Sequence, residues 1–435
     1  MFKTIKQTYK IYHVVEKTLA IFSIFDAISY KEQELANMRL KRLIKKFRRV
    51  WKEDGGVTAF ARVLHFVGNV EGRKVRKQDI RNARKNHGKV LFINGCCVEH
   101  PTRYRVFHQM EQLEMAGIAC AKVYFEDIEL QMEQNYEFFI FYRCECTEDV
   151  EAFIKLAKSH GKKVCFDVDD LVTDTIYTDQ VPFVQELSTE NKKIFDTSVR
   201  LMGKTLSLCD MAVTTTAALA KELGRSVPIT YINRNTASKE MVECAETAYR
   251  QREKDQKRIW LGYFSGSLTH NKDFEIVRPV LVRILKNYPH AGILLVGELD
   301  ASDELNQFSE RVRKLKTTDW RELPELIARA DINLAPLEDT LFNRAKSELK
   351  WFEAALVRVP TAASSIGAFS EMIKDGETGV LCGNTEKEWY EKLAELIENG
   401  AMREKIAQNS YQFVKQHCTT EGTCFAYSRF ISSNL

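Results

Sequence analysis

The chain has 435 residues, of which 44% are hydrophobic and 29% charged, and this composition indicates a globular protein rather than a disordered one. That length exceeds one ordinary hydrophobic core, so we expect two or more domains. The formal net charge is +4, but residues 1–88 contain 21 Lys and Arg against 8 Asp and Glu, a charge of +13 that leaves −9 for the rest. No apolar run reaches the roughly 18 residues of a membrane-spanning helix, and residues 1–30 do not fit a secretory signal.

The eleven cysteines predict neither a disulfide framework nor a zinc site, because their number is odd and no CxxC pair occurs. Several of them, including Cys120, Cys165 and Cys209, lie in or beside apolar runs, where a free thiol behaves as a small hydrophobic group. This usage favours the reducing cytoplasm.

Residues 1–86 predict a basic helical extension, because apolar residues recur at loose helical spacing between lysines and arginines. Attachment to an anionic membrane surface is favoured, since each basic residue near such a surface contributes about 1 kcal/mol. Packing against another subunit or a partner enzyme is a second interpretation, and a solvated extension is a third. Nucleic-acid binding is a further alternative, but no nucleic-acid-binding module accompanies the charge and we expect no nucleic acid. The favoured interpretation is a cytoplasmic protein, peripheral at the inner face of the plasma membrane.

From residue 87 onward, short apolar runs alternate with longer helical patterns. Strands are predicted at residues 89–93, 121–125, 138–142, 163–168, 211–215 and 229–232, and again at 259–264, 292–296, 332–335, 361–364 and 379–381. Such alternation is typical of a parallel sheet covered by helices on both faces.

The predicted fold class is therefore α/β, with two Rossmann-like domains behind the basic extension. We expect an N-terminal domain at residues 87–245 and a C-terminal domain at 256–410. Residues 411–435 predict a final helix. One interpretation is that this helix crosses back to pack on the first domain. Ligands of such sheets bind at the carboxyl ends of the strands, so the cleft between the domains is the expected site.

The most informative motif lies in the second domain. A strand ends at Pro336 within residues 331–337 (DINLAPL), and residues 342–350 (FNRAKSELK) then open a helix that runs through Glu353. A helix N-terminus offers free N–H groups to a diphosphate, to which Lys346 adds a charge and Ser347 a hydroxyl. Glu353 follows Lys346 by seven residues at about 1.5 Å each, roughly 10 Å, which suits the ribose of the same nucleotide.

This order of elements resembles the family-four glycosyltransferases, which have the GT-B fold. The resemblance rests on the Pro336 strand end, EA at 353–354, VP at 359–360, AS at 363–364 and the turn at 375–379. It implies that residues 256–410 are the nucleotide-sugar donor domain and residues 87–245 the acceptor domain. It also implies retention of the anomeric configuration, a ribose-binding role for Glu353 and a diphosphate at the helix start. The family often has a second glutamate eight residues before this one, where the chain has Ala345, so it resembles a variant branch with a KSxxK helix.

The opening of the second domain resembles the same variant branch, because WLGYFSGSLTHNKD at residues 260–273 reads as a strand, a glycine turn and a helix start. Glycine at this turn would let the backbone approach a phosphate closely. Hydroxyl, imidazole and ammonium groups at the same turn could donate hydrogen bonds to that phosphate. The predicted donor-binding residues are Gly266, Ser267, Thr269, His270, Lys272, Pro336, Asn343, Lys346, Ser347, Lys350 and Glu353.

In the first domain, the strand at 163–168 ends in three carboxylates, Asp167, Asp169 and Asp170, which must meet a cleft, a cation or basic partners. We expect Asp169 or Asp170 to orient or deprotonate an acceptor hydroxyl, with a helix N-cap plus a salt bridge as the equally weighted alternative. Asp167 and Asp169 also fit the metal-binding DxD of the GT-A fold, but the second domain would then have no explanation. The predicted catalytic residues are Asp169, Asp170, Lys346 and Glu353, with no metal.

The first strand is followed by residues 95–105 (GCCVEHPTRYR), which should line the cleft. Arginine suits phosphate recognition because its guanidinium donates in pairs. The predicted acceptor-binding residues are Gly95, Arg103, Tyr104, Arg105 and Arg143.

The sequence thus predicts glycosyl transfer from a nucleoside-diphosphate sugar, a co-substrate rather than a cofactor, to an acceptor hydroxyl. We expect a saccharide, lipid-linked or protein acceptor, in the synthesis of a bacterial surface polysaccharide or glycoconjugate. Because Ala345 replaces a family glutamate, a catalytically degenerate scaffold is the alternative. A nucleic-acid-binding protein is less favoured.

Overall fold

A computed structural model describes residues 70–435, apart from residues 254, 256, 266–270, 298 and 300–302. Most of the basic extension lies outside the described residues, and so do Gly266, Ser267, Thr269 and His270. The first described element is helix α1 (Val70–Lys85), and residues 78–435 form one compact unit. No helix in the described part of the chain has the length and apolarity needed to cross a bilayer.

The first sheet has six parallel strands in the order β2-β1-β3-β4-β5-β6. Its strands are β1 (Val90–Asn94), β2 (Cys120–Tyr124), β3 (Phe138–Tyr142), β4 (Lys163–Val168), β5 (Met211–Thr214) and β6 (Ile229–Ile232). Every residue of the central β3 is buried, as its apolar sequence FFIFY requires of a strand covered on both faces.

The helices around this sheet follow the strands in turn. They are α2 (Glu99–Thr102), the π-helix Arg103–Phe107, α3 (His108–Met115), α4 (Glu148–Ser159), α5 (Thr175–Thr178), α6 (Pro182–Gln185), α7 (Thr189–Leu208), α8 (Ala217–Leu223) and α9 (Lys239–Gln251). Local sequence sets their starts: Thr147, Ser188, Thr216 and Ser238 each accept a backbone N–H as N-cap.

The second sheet also has six parallel strands, in the order β12-β11-β10-β7-β8-β9. Its strands are β7 (Ile259–Phe264), β8 (Ala291–Val296), β9 (Val312–Leu315), β10 (Ile332–Ala335), β11 (Thr361–Ser364) and β12 (Val380–Cys382). The two sheets confirm the predicted α/β, GT-B-like architecture, which excludes the GT-A alternative. Sequence analysis missed β9 because this edge strand exposes Arg313 and Lys314 and has no apolar run.

The helices of the second half are α10 (Asn271–Glu275), α11 (Arg278–Asn287), α12 (Asp303–Asn306), α13 (Leu323–Ile327), α14 (Leu341–Arg344), α15 (Leu349–Leu356), α16 (Gly367–Met372), α17 (Glu386–Glu398), α18 (Gly400–His417) and α19 (Thr420–Ser432). The expected single helix through Glu353 is interrupted, since α14 ends at Arg344 and α15 starts at Leu349. Lys346 and Ser347 therefore lie just before α15 rather than in the first turn of a helix.

The last helix, α19, packs on α3 of the first sheet. Gln112 Nε2 donates to Thr423 Oγ1 at 2.6 Å, and the rings of Tyr231 and Phe430 stack with their centroids 4.1 Å apart. The C-terminal residues thus cover the first sheet after the chain has completed the second.

Strand order places a crevice in each sheet. In the first sheet the connections after β1 and β3 leave in opposite directions, and in the second sheet those after β7 and β10 do so. Open parallel sheets bind ligands at the carboxyl ends of strands at such a switch point. Both switch points carry polar residues, and these residues form the candidate site.

Candidate active site

Asp273, which follows β7, bonds the segment that follows β10. These two segments flank the switch point of the second sheet. Asp273 is buried on α10, and its Oδ1 accepts the Glu338 N–H at 2.9 Å and Asn343 Nδ2 at 3.0 Å. Its Oδ2 lies 3.6 Å from Lys346 Nζ. Asn343 therefore braces a loop, and Asp273, which sequence analysis missed, helps to orient the lysine.

Lys350 presents an enclosed cation at the same place. Its Nζ has no hydrogen-bond partner among the described residues and lies 4.3 Å from the centroid of the Tyr263 ring. Its backbone is fixed by Asn333, whose Nδ2 donates to the Lys350 carbonyl at 2.9 Å. Burial lowers the pKa of Lys350 to about 8, since the charged form loses hydration. An anion entering this crevice would stabilise that charge.

Glu353 lies one turn along α15 from Lys350, on the cleft side of the helix. Its Oε1 accepts a hydrogen bond of 2.6 Å from the hydroxyl of Tyr104, which comes from the first half of the chain. The Tyr104 ring is 2% exposed and packs within the core of the second sheet, edge-on to Phe352. Tyr104, which the sequence analysis predicted to bind the acceptor, thus lies beside the predicted donor residue Glu353.

Arg103 also reaches across to the second half of the chain. Its guanidinium carbon lies 4.3 Å from the centroid of the Trp320 ring, and its NH2 donates to the Tyr104 hydroxyl at 3.0 Å. Arg103 and Tyr104 belong to the π-helix Arg103–Phe107, and π-helical turns are often found at functional sites.

Arg143 holds the two carboxylates that follow β4. Its Nε donates to Asp169 Oδ1 at 2.6 Å, and its NH2 donates to Asp170 Oδ2. Arg143 adopts a left-handed backbone with φ of 46°, uncommon for a residue other than glycine, which brings its side chain back over the end of β4. Burial raises the pKa of Asp170, while the positive charges of Arg143 and Lys346 oppose that rise. Lys346 and Asp170 thus bring the ends of the two sheets into electrostatic contact.

The structure corrects the prediction for Arg105. Its side chain is 0% exposed and bonds both carboxylate oxygens of Asp167, at 2.9 and 2.8 Å. Its NH1 donates to the Asn233 carbonyl at 2.7 Å. A guanidinium enclosed in this way stabilises the first sheet and presents no group to an acceptor.

Gly95 is likewise a packing residue in this structure. A Cβ atom there would lie 2.3 Å from the Arg143 carbonyl oxygen and 2.6 Å from the Cys144 Cα, so only glycine fits beside the end of β3. Gly95 is partly exposed, so its predicted role in acceptor binding stays a prediction.

The remaining donor-side predictions lie around the same crevice. Ser347 Oγ accepts Asn235 Nδ2 at 3.0 Å, Pro336 is buried directly after β10, and Lys272 is exposed on α10. Ala345 is buried in the core of the first sheet, and its carbonyl accepts Thr216 Oγ1 at 3.0 Å. The position of the family's second glutamate therefore serves here as a contact between the two sheets.

Sequence analysis also missed an ion pair that joins the two halves of the chain. Glu348, the N-cap residue of α15, is 0% exposed and lies 3.4 Å from Arg234 NH1. Arg234 also pairs with Glu371 of α16. Burial raises the pKa of Glu348 to about 7. No group of three His, Cys, Asp or Glu side chains in the described residues is placed to hold a metal ion.

A family model described as "Glycosyl transferases group 1" matches residues 261–399. These residues are therefore similar to glycosyl transferases group 1 domains. This stretch contains the crevice between β7 and β10. Among curated proteins, glycogen synthase of Mycobacterium tuberculosis is 29% identical over 125 residues. That match spans 27% of this chain and 29% of the length of the glycogen synthase.

Solved structures share the fold over a longer stretch than the group 1 domain. HepE of Anabaena, crystallised in complex with UDP, is 14% identical with a TM-score of 0.57, and the match covers 79% of this chain and all of HepE. Sucrose-phosphate synthase of Thermosynechococcus elongatus is 13% identical with a TM-score of 0.55, covering 79% of this chain and 98% of that protein. These matches show that the group 1 domain and the sheet before it together form one shared two-sheet fold.

Proposed function

We propose that this chain is a glycosyltransferase that moves a sugar from a nucleoside-diphosphate sugar to an acceptor hydroxyl. One observation carries the proposal: the enclosed Lys350 ammonium, beside Lys346 and Glu353, lies at the switch point of a group 1 domain without a hydrogen-bond partner among the described residues. A diphosphate would supply the acceptors that this cation lacks. The shared fold of HepE, which was crystallised with UDP, supports the nucleotide part of the proposal.

The residues suggest a division of roles. Lys346 and Lys350 would stabilise the negative charge that develops on the diphosphate as the glycosidic bond to it breaks. Glu353 would accept hydrogen bonds from ribose hydroxyls. Asp169 and Asp170, held by Arg143, would orient or deprotonate the acceptor hydroxyl. Retention of configuration follows from the resemblance to the family-four enzymes and is part of the proposal. So is independence from an obligatory metal, because Lys346, Ser347 and backbone amides would stabilise the leaving diphosphate.

The test is a thermal-shift panel of UDP, dTDP, GDP and ADP on the wild type and on Lys350→Met. A nucleotide at about 100 times its dissociation constant should stabilise the wild type by roughly 2.7 kcal/mol. The Met side chain retains the length of the lysine stem but removes the charge, so this stabilisation should fall sharply. Lys286→Met, at an exposed position on α11, is the matched control and should respond as the wild type does. No response of the wild type at millimolar nucleotide would contradict the donor-site assignment.

Donor turnover separates the enzyme from a degenerate scaffold. A transferase should release free nucleotide and sugar slowly even without its acceptor, whereas a scaffold would bind nucleotide and release no sugar. The buried Ala345 supports this alternative, because the position of the family's second glutamate lies in the core of the first sheet.

For the acceptor we propose a lipid-linked saccharide of a bacterial surface polysaccharide, with residues 1–86 holding the enzyme at the anionic inner face of the plasma membrane. The charge of these residues supports the proposal. Sedimentation with vesicles tests it: binding should appear with phosphatidylglycerol, disappear with neutral phosphatidylcholine and weaken with salt. A protein acceptor or attachment to another subunit would leave both kinds of vesicle unbound.

A further inference from the structure

We infer that Tyr104, which belongs to the acceptor-side half of the chain, is a positioning residue for Glu353, and that the pair selects the ribose hydroxyls of the donor nucleotide. The inference rests on the proposed nucleotide-sugar function, including the ribose role of Glu353, and adds Tyr104 as the residue that positions this glutamate. The observation that carries it is the 2.6 Å hydrogen bond between the Tyr104 hydroxyl and Glu353 Oε1.

The direction of this hydrogen bond is fixed by its neighbour. Arg103 NH2 lies 3.0 Å from the Tyr104 oxygen, and a guanidinium can only donate. The hydroxyl oxygen therefore accepts from Arg103, and its single hydrogen points to Glu353. Burial raises the pKa of Tyr104 well above its usual value, and the Glu353 charge adds to the rise, so the hydroxyl remains protonated.

The ring of Tyr104 makes that donor rigid. It is 2% exposed, edge-on to Phe352 with 6.2 Å between centroids and to His108 with 5.0 Å. This packing against two aromatic rings holds the Tyr104 ring in place. Glu353 thus meets a donor that is held in place from the other sheet.

A carboxylate accepts hydrogen bonds on two oxygens. Tyr104 occupies Oε1, and no described residue donates to Oε2, so the position of Oε2 in the cleft is set through Tyr104. A ribose hydroxyl is the donor that the proposed function brings to this oxygen. Without the tyrosine hydroxyl, the carboxylate would turn about its side-chain torsions and the ribose would lose its aligned acceptor.

This arrangement separates ribose recognition from diphosphate recognition. Lys346 and Lys350 belong to the second half of the chain and need nothing from Tyr104 to meet phosphates. Selectivity for the ribose, in contrast, requires that both halves of the chain hold their relative positions. The pair thus makes part of donor recognition depend on the acceptor-side sheet.

The test is isothermal titration of full-length wild type and Tyr104→Phe with UDP, 2′-deoxy-UDP, 3′-deoxy-UDP and pyrophosphate. Phenylalanine keeps the buried ring and removes only the hydroxyl. We expect Tyr104→Phe to bind UDP about tenfold more weakly, the size of loss expected for a hydrogen bond to a charged group. Pyrophosphate affinity should not change, and the preference for UDP over at least one deoxy nucleotide should shrink towards one.

Two further variants make the result decisive. Glu353→Gln should lose the same preference, because an amide replaces the aligned carboxylate. Tyr136→Phe is the matched control, since Tyr136 is also buried and its hydroxyl has no partner among the described residues. It should bind all four ligands as the wild type does.

Three outcomes would overturn the inference. Equal loss for all four ligands in Tyr104→Phe would show that the tyrosine only packs the two sheets together. An unchanged ratio of UDP to deoxy-UDP in Tyr104→Phe or Glu353→Gln, in a wild type that binds UDP, would remove the ribose role while leaving the proposed function intact. A wild type that binds neither UDP nor pyrophosphate would overturn the donor site itself, and this inference with it.

Discussion

At the scale of single residues, Lys350 is the group whose behaviour depends most on its surroundings. Its Nζ is enclosed against the Tyr263 ring, and burial lowers its pKa to about 8. Asp273 and Glu353 oppose that shift, whereas Lys346 adds to it. The ammonium is therefore charged at neutral pH but loses its proton at moderately alkaline pH.

The first prediction concerns nucleotide affinity between pH 8 and 10. A bound diphosphate favours the charged ammonium, so binding should take up a proton above pH 8, and the dissociation constant should rise up to about tenfold per pH unit. Below pH 7 this contribution to the affinity should be constant. Calorimetry in buffers of different ionisation enthalpy measures the proton uptake directly.

The matched variant for this prediction is Lys350→Arg, which keeps a cation that does not titrate in this range. Its affinity should vary much less between pH 8 and 10. If wild type and Lys350→Arg show the same dependence on pH, another group titrates and the assignment to Lys350 is wrong.

The second residue-scale prediction concerns Glu348. Its pKa is raised to about 7 by burial, so the folded protein holds this proton more tightly than the unfolded chain does. Between about pH 4.5 and 7 the folded state therefore binds more protons at Glu348 than the unfolded state does. The contribution of Glu348 to the free energy of unfolding must then fall as the pH rises. The total loss of unfolding free energy across this window should be roughly 1–3 kcal/mol. The positive charge of Arg234 limits this loss because it favours the ionised form of Glu348.

Urea denaturation of wild type and Glu348→Gln across this window isolates the effect. The difference in unfolding free energy between the two proteins should change in favour of the glutamine variant as the pH rises to 7. A constant difference would mean that Glu348 stays ionised throughout and that Arg234 compensates its burial.

At the scale of elements, the carboxyl ends of β1 and β3 come so close that a side chain at Gly95 has no space. A Cβ atom at this position would meet the main chain of Arg143 and Cys144, neither of which can yield like the end of a flexible side chain. Arg143, which lies at this close contact, also bonds Asp169 and Asp170 after β4. The packing of Gly95 against the end of β3 is therefore linked to the placement of these two carboxylates.

The third prediction follows from that approach. Gly95→Ala should lower the unfolding free energy by about 1–3 kcal/mol, as overpacking against fixed backbone does. Gly400→Ala is the control, because at the start of α18 its nearest neighbour would be a side-chain atom of Arg403 at 3.6 Å. That variant should stay within about 0.5 kcal/mol of the wild type. Equal stability of the two variants in urea denaturation would contradict the close approach at Gly95.

At the scale of the whole molecule, a buried network joins distant parts of the chain around Arg105. Arg105 pairs with Asp167 of β4 and bonds the segment after β6 through Asn233. Gln109 donates to the same aspartate at 2.7 Å and accepts the hydroxyl of Tyr427 on α19. The C-terminal helix thus takes part in the polar core of the first sheet.

The fourth prediction tests that network. Arg105→Met should destabilise the protein by about 3–5 kcal/mol, because it leaves Asp167 buried without its counter-charge. The double variant Arg105→Met/Asp167→Asn removes the unpaired charge and should recover part of this loss. A double variant as unstable as the sum of its two single variants would show that the charges do not interact, with urea denaturation as the measurement.

The sequence by itself determined the two-sheet architecture and the order of elements around Glu353, because both follow from local patterns. Apolar runs that alternate with helical periodicity specify strands and helices over a few residues, and the predicted strands agree with the structure within a residue at each end. The exceptions have local reasons. The charged edge strand β9 lacks an apolar run, and the break between α14 and α15 depends on Ala345 entering the core of the other sheet.

Only the tertiary structure decided which side chains are partners. Tyr104 and Glu353 are 249 residues apart in the chain, and Arg105 and Asp167 are 62 apart. Residues 103–105 are neighbours in the sequence, yet they have different partners. Arg103 contacts Trp320, Tyr104 bonds Glu353, and Arg105 bonds Asp167 of β4. Their directions depend on the π-helix and on the order of the strands, both of which arise from packing between distant segments and leave no periodic signal in the sequence.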